Sequence, residues 1–192
     1  MELIQAPNEP GARGRILAAA ARLFYRQGIR STGIDQVIAE AAVAKASLYA
    51  HFGSKDALVT AWLEQRDRAW FAWFDRAVLE VASEPLPRLL GVFDVLGRWF
   101  GSEGFRGCAF INSALELNQP GHPSLPIVAR HAAQLESRLT ALAREAGLPE
   151  PERVGRQLFL LVEGAVVCAA IGRGPEAAVE ARAAAARLLG VA

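Results

Sequence analysis

Residues 45 to 52 read Lys45-Ala46-Ser47-Leu48-Tyr49-Ala50-His51-Phe52, a run of hydrogen-bond donors, acceptors and small residues around two apolar anchors. On a helix, Leu48 and Phe52 stand four apart and share one face, which suits packing inward. Lys45, Ser47, Tyr49 and His51 can then reach phosphates or base edges, and Ala46 and Ala50 leave room for the helix to sit close to a groove. This is the chemistry of a polyanion-binding helix. No Ser/His/Asp or Cys/His grouping, glycine-rich phosphate loop or metal-ligand spacing points to catalysis or to a metal, so neither an enzyme nor a cofactor is expected. His122 and His131 are not at ligand spacing and read as surface or capping residues. Cys108 has one chemical alternative to inert packing. It lies beside Arg106 near a glycine-rich helix start, where a cation and a helix N-terminus both lower a thiol pKa.

The elements that must position the 45–52 helix follow from periodicity. Ile16, Leu17, Ala20, Leu23 and Phe24 recur at helical spacing from about residue 12 to Gly28. Thr32 precedes a second, short helical stripe of Ile34, Val37, Ile38 and Ala41, and is expected to cap it, with Asp35 three residues on. A break at Ala42-Val43-Ala44 separates this stripe from Lys45. Two short helices joined by so brief a break, after a longer one, have helix-turn-helix spacing. Ser54 is expected to cap a long helix of about 54–81 that carries three of the four tryptophans. Proline and glycine then divide the chain into helices near 86–101, 106–118, 124–146, 151–172 and 175–190. No segment alternates with period 2. The expected fold is all-α with about nine helices.

Composition agrees. Hydrophobic residues make up 52% of the 192 residues, enough for a real core, and the abundance of alanine favours helix. Net charge is only +1, with seven Lys/Arg against five Asp/Glu over residues 1–62. That mild bias permits nucleic-acid contact without demonstrating it. Two cysteines, Cys108 and Cys168, suit a reducing cytoplasm, and both are expected within apolar packing. The N-terminus lacks the pattern of a secretory signal. The most apolar run, Leu158 to Ile171, is interrupted by Glu163 and reads as a buried helix rather than a membrane span.

The stretch RILAAAARLFYRQGIRSTGIDQVIAEAAVAKASLYAHFGSKDALVTAWL, residues 15–63, closely resembles the DNA-binding region of TetR-family regulators. It shares the Ala-rich first helix ending in LF…GI, Thr32, the IDQVIAEA helix, and KASLYAHF followed by SKDAL. A second segment, RGCAFINSALEL at 106–117, resembles the body of one branch of that family. The resemblance implies a flexible arm at 1–12, a DNA-binding headpiece at 13–53 and a ligand-sensing, dimerising body at 54–192. It implies that Thr32 meets a phosphate through its hydroxyl or the adjacent helix N-terminus, and that Lys45 meets a phosphate or a base edge. Ser47 would approach bases or backbone, with Ala46 lying against the groove. Tyr49, His51 and Lys55 would hold phosphates. Two departures stand out. Ala42 occupies the turn position usual for glycine, costing on the order of 1 kcal/mol if its φ is positive. Ala44 replaces the usual Ser or Thr cap, costing roughly as much again.

In the body, Trp70, Phe74, Phe93, Trp99, Phe100, Cys108, Phe110 and Asn112 are the candidates for lining a largely apolar effector pocket. Helices 8 and 9 are rich in Gly and Ala, which suits close pairing with a second copy. The expected function is a dimeric, ligand-released repressor acting on a pseudo-palindromic operator. Its rivals are a thiol-reactive sensor using Cys108 and a helical interaction protein that does not bind DNA.

Overall fold

A computed structural model describes residues 9–191. Among them the chain is all helix, in the order α1 (Gly11–Gln27), α2 (Ile34–Ala41), α3 (Lys45–Phe52), α4 (Lys55–Val81), α5 (Pro85–Phe100), α6 (Ala109–Glu116), α7 (Leu125–Glu145), α8 (Pro151–Cys168) and α9 (Glu176–Leu188). The expected helices are all present. Most of the arm, residues 1–8, lies outside the described residues.

Three boundaries differ from expectation for local reasons. α6 begins at Ala109 rather than near 106, because Gly104 and Gly107 both adopt positive φ and hold the chain in turns up to Cys108. α2 begins after Gly33, not after Thr32, so Gly33 is the cap. Its backbone N–H donates to the Gln36 side chain at 2.8 Å. Gln36 therefore fills the role expected of Asp35. α8 is followed by a wide turn, Ala169–Arg173, inside which the backbone leaves helical angles at Ile171 and Gly172. Counting that turn, Pro151–Arg173 is long and apolar enough to cross a membrane by length and composition. Core helices of soluble proteins share that length and composition.

The contacts divide the chain into two compact units, a different division from the functional one expected at Gly53. The first comprises described residues 9–70 and 109–130. Its core is built from Ile16, Leu17, Val37, Leu48, Leu58 and Leu63, all essentially without exposure. α1 and α2 are fastened by Arg22–Glu40 (2.7 Å) and by Arg15 donating to the Ala41 carbonyl at the end of α2. Phe24 packs on Trp62 with ring centroids 5.4 Å apart.

The second unit comprises residues 71–108 and 131–191. Phe74, Leu89, Phe93, Leu96, Leu139 and Leu158 fill it. α8 lies so close to α7 at Gly155 that a Cβ there would collide with Thr140. α9 packs on α5, with Gly97 close to Ala178.

Candidate nucleic-acid interface

The α2–α3 junction is built by a backbone motif. The N–H of Val43 reaches the Ile38 carbonyl and that of Ala42 reaches Ala39, both at 3.2 Å. This pairing, six residues to one, closes a helix end when the residue between is left-handed. Ala42 supplies that conformation, with φ 51° and ψ 53°. An L-residue with a Cβ bears strain there of order 1 kcal/mol. α7 ends in the same motif, with Leu148 reaching Ala143, but Gly147 fills the left-handed place.

α3 follows with no side-chain cap, because Ala44 has no acceptor to offer. Leu48 is fully buried and Phe52 nearly so, and Arg13 lies over the Phe52 ring at 5.1 Å. This anchoring turns the opposite face outward. Lys45, Ala46, Tyr49, Ala50 and His51 are exposed, and Ser47 is half-buried. Tyr49 is 44% exposed, a large aromatic facing solvent. Lys45 is paired with Asp35 at 3.0 Å. The hydrogen bond to that carboxylate, then its charge, raises the Lys45 pKa above the ordinary lysine value. α3 ends at Gly53, and Ser54 caps α4 by accepting the Ala57 N–H at 3.0 Å, as its position predicts.

Two residues of the expected DNA-contacting set face elsewhere. Thr32 is wholly buried and its hydroxyl donates to the Gly28 carbonyl at 2.7 Å. Lys55 is half-buried and its ammonium donates to the Ile29 carbonyl at 2.6 Å. Both satisfy carbonyls of the α1–α2 connection, so they shape the head that carries α3.

A second set of contacts was invisible in the sequence because its partners lie 86 and 88 residues apart. The Arg30 backbone N–H donates to the Glu116 carboxylate at 2.8 Å, and its Nε to the Glu116 carbonyl at 2.7 Å. Its terminal nitrogen reaches Asn118 at 3.2 Å. Gly28 makes room for this carboxylate, since a Cβ there would stand 2.9 Å from it. Nearby, Thr60 and Ser124 share a hydrogen bond of 3.0 Å, and His122 accepts the Ser124 N–H and faces Asp56 at 3.6 Å. The end of α6 and the loop after it are thus tied to the α1–α2 connection and to the start of α4.

The candidate effector-lining residues fall into both units. Trp70, Phe110 and Asn112 belong to the first, and Phe74, Phe93, Trp99, Phe100 and Cys108 to the second. All six aromatics are under 5% exposed, while Asn112 and Cys108 are half-buried. Trp99 sits in an aromatic cluster with Trp73, Phe100 and Phe105, of which Trp73 and Phe105 are not among the expected lining residues. Ser113, on α6, was also missed. Its hydroxyl is buried without a hydrogen-bond partner. Two further expectations are corrected. Cys168 is exposed rather than packed, and His131 is buried against Phe71, with ring centroids 4.8 Å apart.

Residues 16–62, from within α1 to the first turns of α4, match the family model described as "Bacterial regulatory proteins, tetR family". The chain superposes on a TetR-family transcriptional regulator from Streptomyces coelicolor with a TM-score of 0.84 and 34% identity, covering 93% of this chain and 89% of that one. The protein belongs to the TetR family. A TetR-type regulator from Streptomyces avermitilis is 30% identical over 94% of this TetR-family chain and 99% of its own, with a TM-score of 0.81. The transcriptional repressor KstR2 of Mycobacterium tuberculosis is 33% identical over 84 residues. That match spans 42% of this chain and 40% of the relative.

Proposed function

We propose that the protein is a DNA-binding transcriptional repressor, with residues 13–53 as headpiece and 54–192 as sensing and dimerising body. The observation that carries this reading is the outward face of α3, where Lys45, Tyr49 and His51 are exposed while Leu48 and Phe52 anchor the helix from behind. Tyr49, His51 and Ser47 would contact backbone or bases, and Ala46 and Ala50 would admit the helix to the major groove. Thr32 contributes through the fold of the head, and any phosphate there would meet the N-terminus of α2 rather than its hydroxyl.

A dimer would set two such helices about 34 Å apart, one DNA turn. α8 supports that assembly. Leu160, Gly164, Val167, Cys168 and Ile171 recur at helical spacing and are all exposed, with Leu160 at 69% and Ile171 at 78%. Val179 on α9 is exposed as well, at 66%. A second copy of the same helices would cover these residues in a four-helix interface. The same stripe gives Pro151–Arg173 its apolar composition, so this reading assigns it to a protein partner in the cytoplasm, where the operator is, and not to lipid.

A small, largely apolar effector would act through α6. The unpartnered Ser113 hydroxyl, with Phe110 and Asn112 on the same helix, offers a hydrogen bond within an apolar setting. Glu116 lies one turn beyond Ser113, so a shift of α6 pulls directly on Arg30 and the loop ahead of α2. The effector must favour the released conformation, since equal affinity for both shifts nothing.

Duplexes enriched by the protein from a random pool provide the test. Salt-dependent binding is expected, and Tyr49→Ala should weaken it by about 1–3 kcal/mol without changing the melting temperature. Salt-independent binding, or binding indifferent to Tyr49, sinks the reading. Compounds that raise the melting temperature should lower operator affinity, and a panel of such ligands that leaves it unchanged removes the effector arm.

A further inference from the structure

The exposed carboxylate beside the recognition helix calls for an explanation. A surface meant to meet phosphates gains nothing from Asp35, whose side chain is 81% exposed, unless the charge has a task. Asp35 stands in the first turn of α2 and holds the ammonium of Lys45, the first residue of α3, at 3.0 Å. Lys45 begins α3 without a side-chain cap at Ala44, and this ion pair ties the first turn of α2 to the first residue of α3. We propose that Asp35 is a positioning and specificity residue for DNA binding. It cancels the long-range attraction of Lys45 for phosphates in general and holds its ammonium so that the remaining N–H groups are presented in one direction.

The inference rests on the DNA-binding reading and deepens it. Non-specific binding comes almost wholly from free cations releasing counterions from the phosphate backbone, whereas discrimination comes from directed hydrogen bonds. A lysine locked to a carboxylate contributes little to the first and keeps its donors for the second. The head has little surplus charge to begin with, since residues 1–62 hold seven Lys/Arg against five Asp/Glu. Suppressing non-specific affinity raises the ratio that governs site finding among competing sequences. The flexible four-carbon stem of lysine makes an external tether useful where the rigid fork of arginine would need none.

The experiment measures binding of the full chain to a mixed-sequence duplex and to an enriched operator over a range of salt. Asp35→Asn should raise affinity for the mixed duplex roughly twofold to fivefold, the size of an exposed ion pair. It should steepen the dependence of log K on log salt by about 0.9, one additional phosphate neutralised. Operator affinity should rise less, so that specificity falls. Asp35→Glu should keep the wild-type slope. In a Lys45→Met background, Asp35→Asn should leave the slope unchanged, because no ammonium is released. The pair is exposed, so all four chains are expected to fold, and circular dichroism checks this. An unchanged slope in Asp35→Asn, or a steepening that persists without Lys45, overturns the proposal while leaving the DNA-binding reading intact. A wild-type chain that binds neither duplex overturns both.

Discussion

α3 and α8 are both helices with one face packed and one face uncovered, yet the uncovered faces have opposite chemistry. On α3 the outward residues are Lys45, Tyr49 and His51 among small alanines, and the anchors are Leu48 and Phe52. On α8 and the turn that follows it the outward residues are Leu160, Val167 and Ile171, and the inward ones, Leu158, Val162 and Val166, are apolar too. A face of donors needs a partner that supplies acceptors and charge. A face of branched aliphatics gains only by removing its area from water, which calls for another apolar face. The two helices are therefore suited to different partners, and the comparison can be attacked at either one.

The largest effect is expected at α8. Replacing Leu160 and Ile171 together by lysine should leave the chain folded and turn a dimer into a monomer in sedimentation. Operator affinity should then fall by about a hundredfold or more as the second half-site is lost. A double variant that stays dimeric refutes the role of this face. Next is the seat of α8. Gly155→Ala forces a methyl against Thr140 and should destabilise the chain by about 1–3 kcal/mol in urea melts. A neutral result would show that α7 and α8 separate more readily than their packing implies.

Smaller effects sharpen the α3 end. Ala44→Ser supplies the missing acceptor at the start of α3 and should stabilise by about 1 kcal/mol. Ala42→Gly relieves the left-handed alanine, a gain partly offset by the greater freedom of glycine in the unfolded chain, so under about 1 kcal/mol should remain. Both are read from thermal melts. The smallest change concerns Glu163, the carboxylate within the apolar run of α8. Burial raises its pKa above the ordinary 4.5. The folded chain therefore holds its proton more tightly than the unfolded chain, and stability declines as pH climbs from 4.5 through the raised value. Glu163→Gln should be more stable than wild type near neutrality, with the gap closing in acid. A gap of constant size at every pH would show that ionisation is not its cause.

Much of this was legible in the sequence. The α2–α3 pair was readable because Leu48 and Phe52 fix its inward face and the polar residues between them fall outward automatically. The helices of the body were readable from glycine and proline punctuation. Thr32 and Lys55 were legible as positions but not as contacts. Each donates to a backbone carbonyl, and a carbonyl carries no residue-type signal. Cys168 was misplaced because residues 158–168 of α8 are apolar or small on every face except at Glu163, so periodicity cannot separate a face buried in its own chain from one left open. Arg30 and Glu116 could not be paired at all, since nothing local marks a bond across 86 residues.

Ala42 holds its left-handed conformation at the junction of α2 and α3. Strain at a junction lowers the free energy of local opening there without touching the core on either side. The amides of Val43 to Ser47 should accordingly exchange with deuterium ahead of those of α1, by openings that leave the rest of the head closed. A helix hinged at such a weak point can adjust its angle to an irregular groove, and the rigid frame of α1 and α4 brings it back.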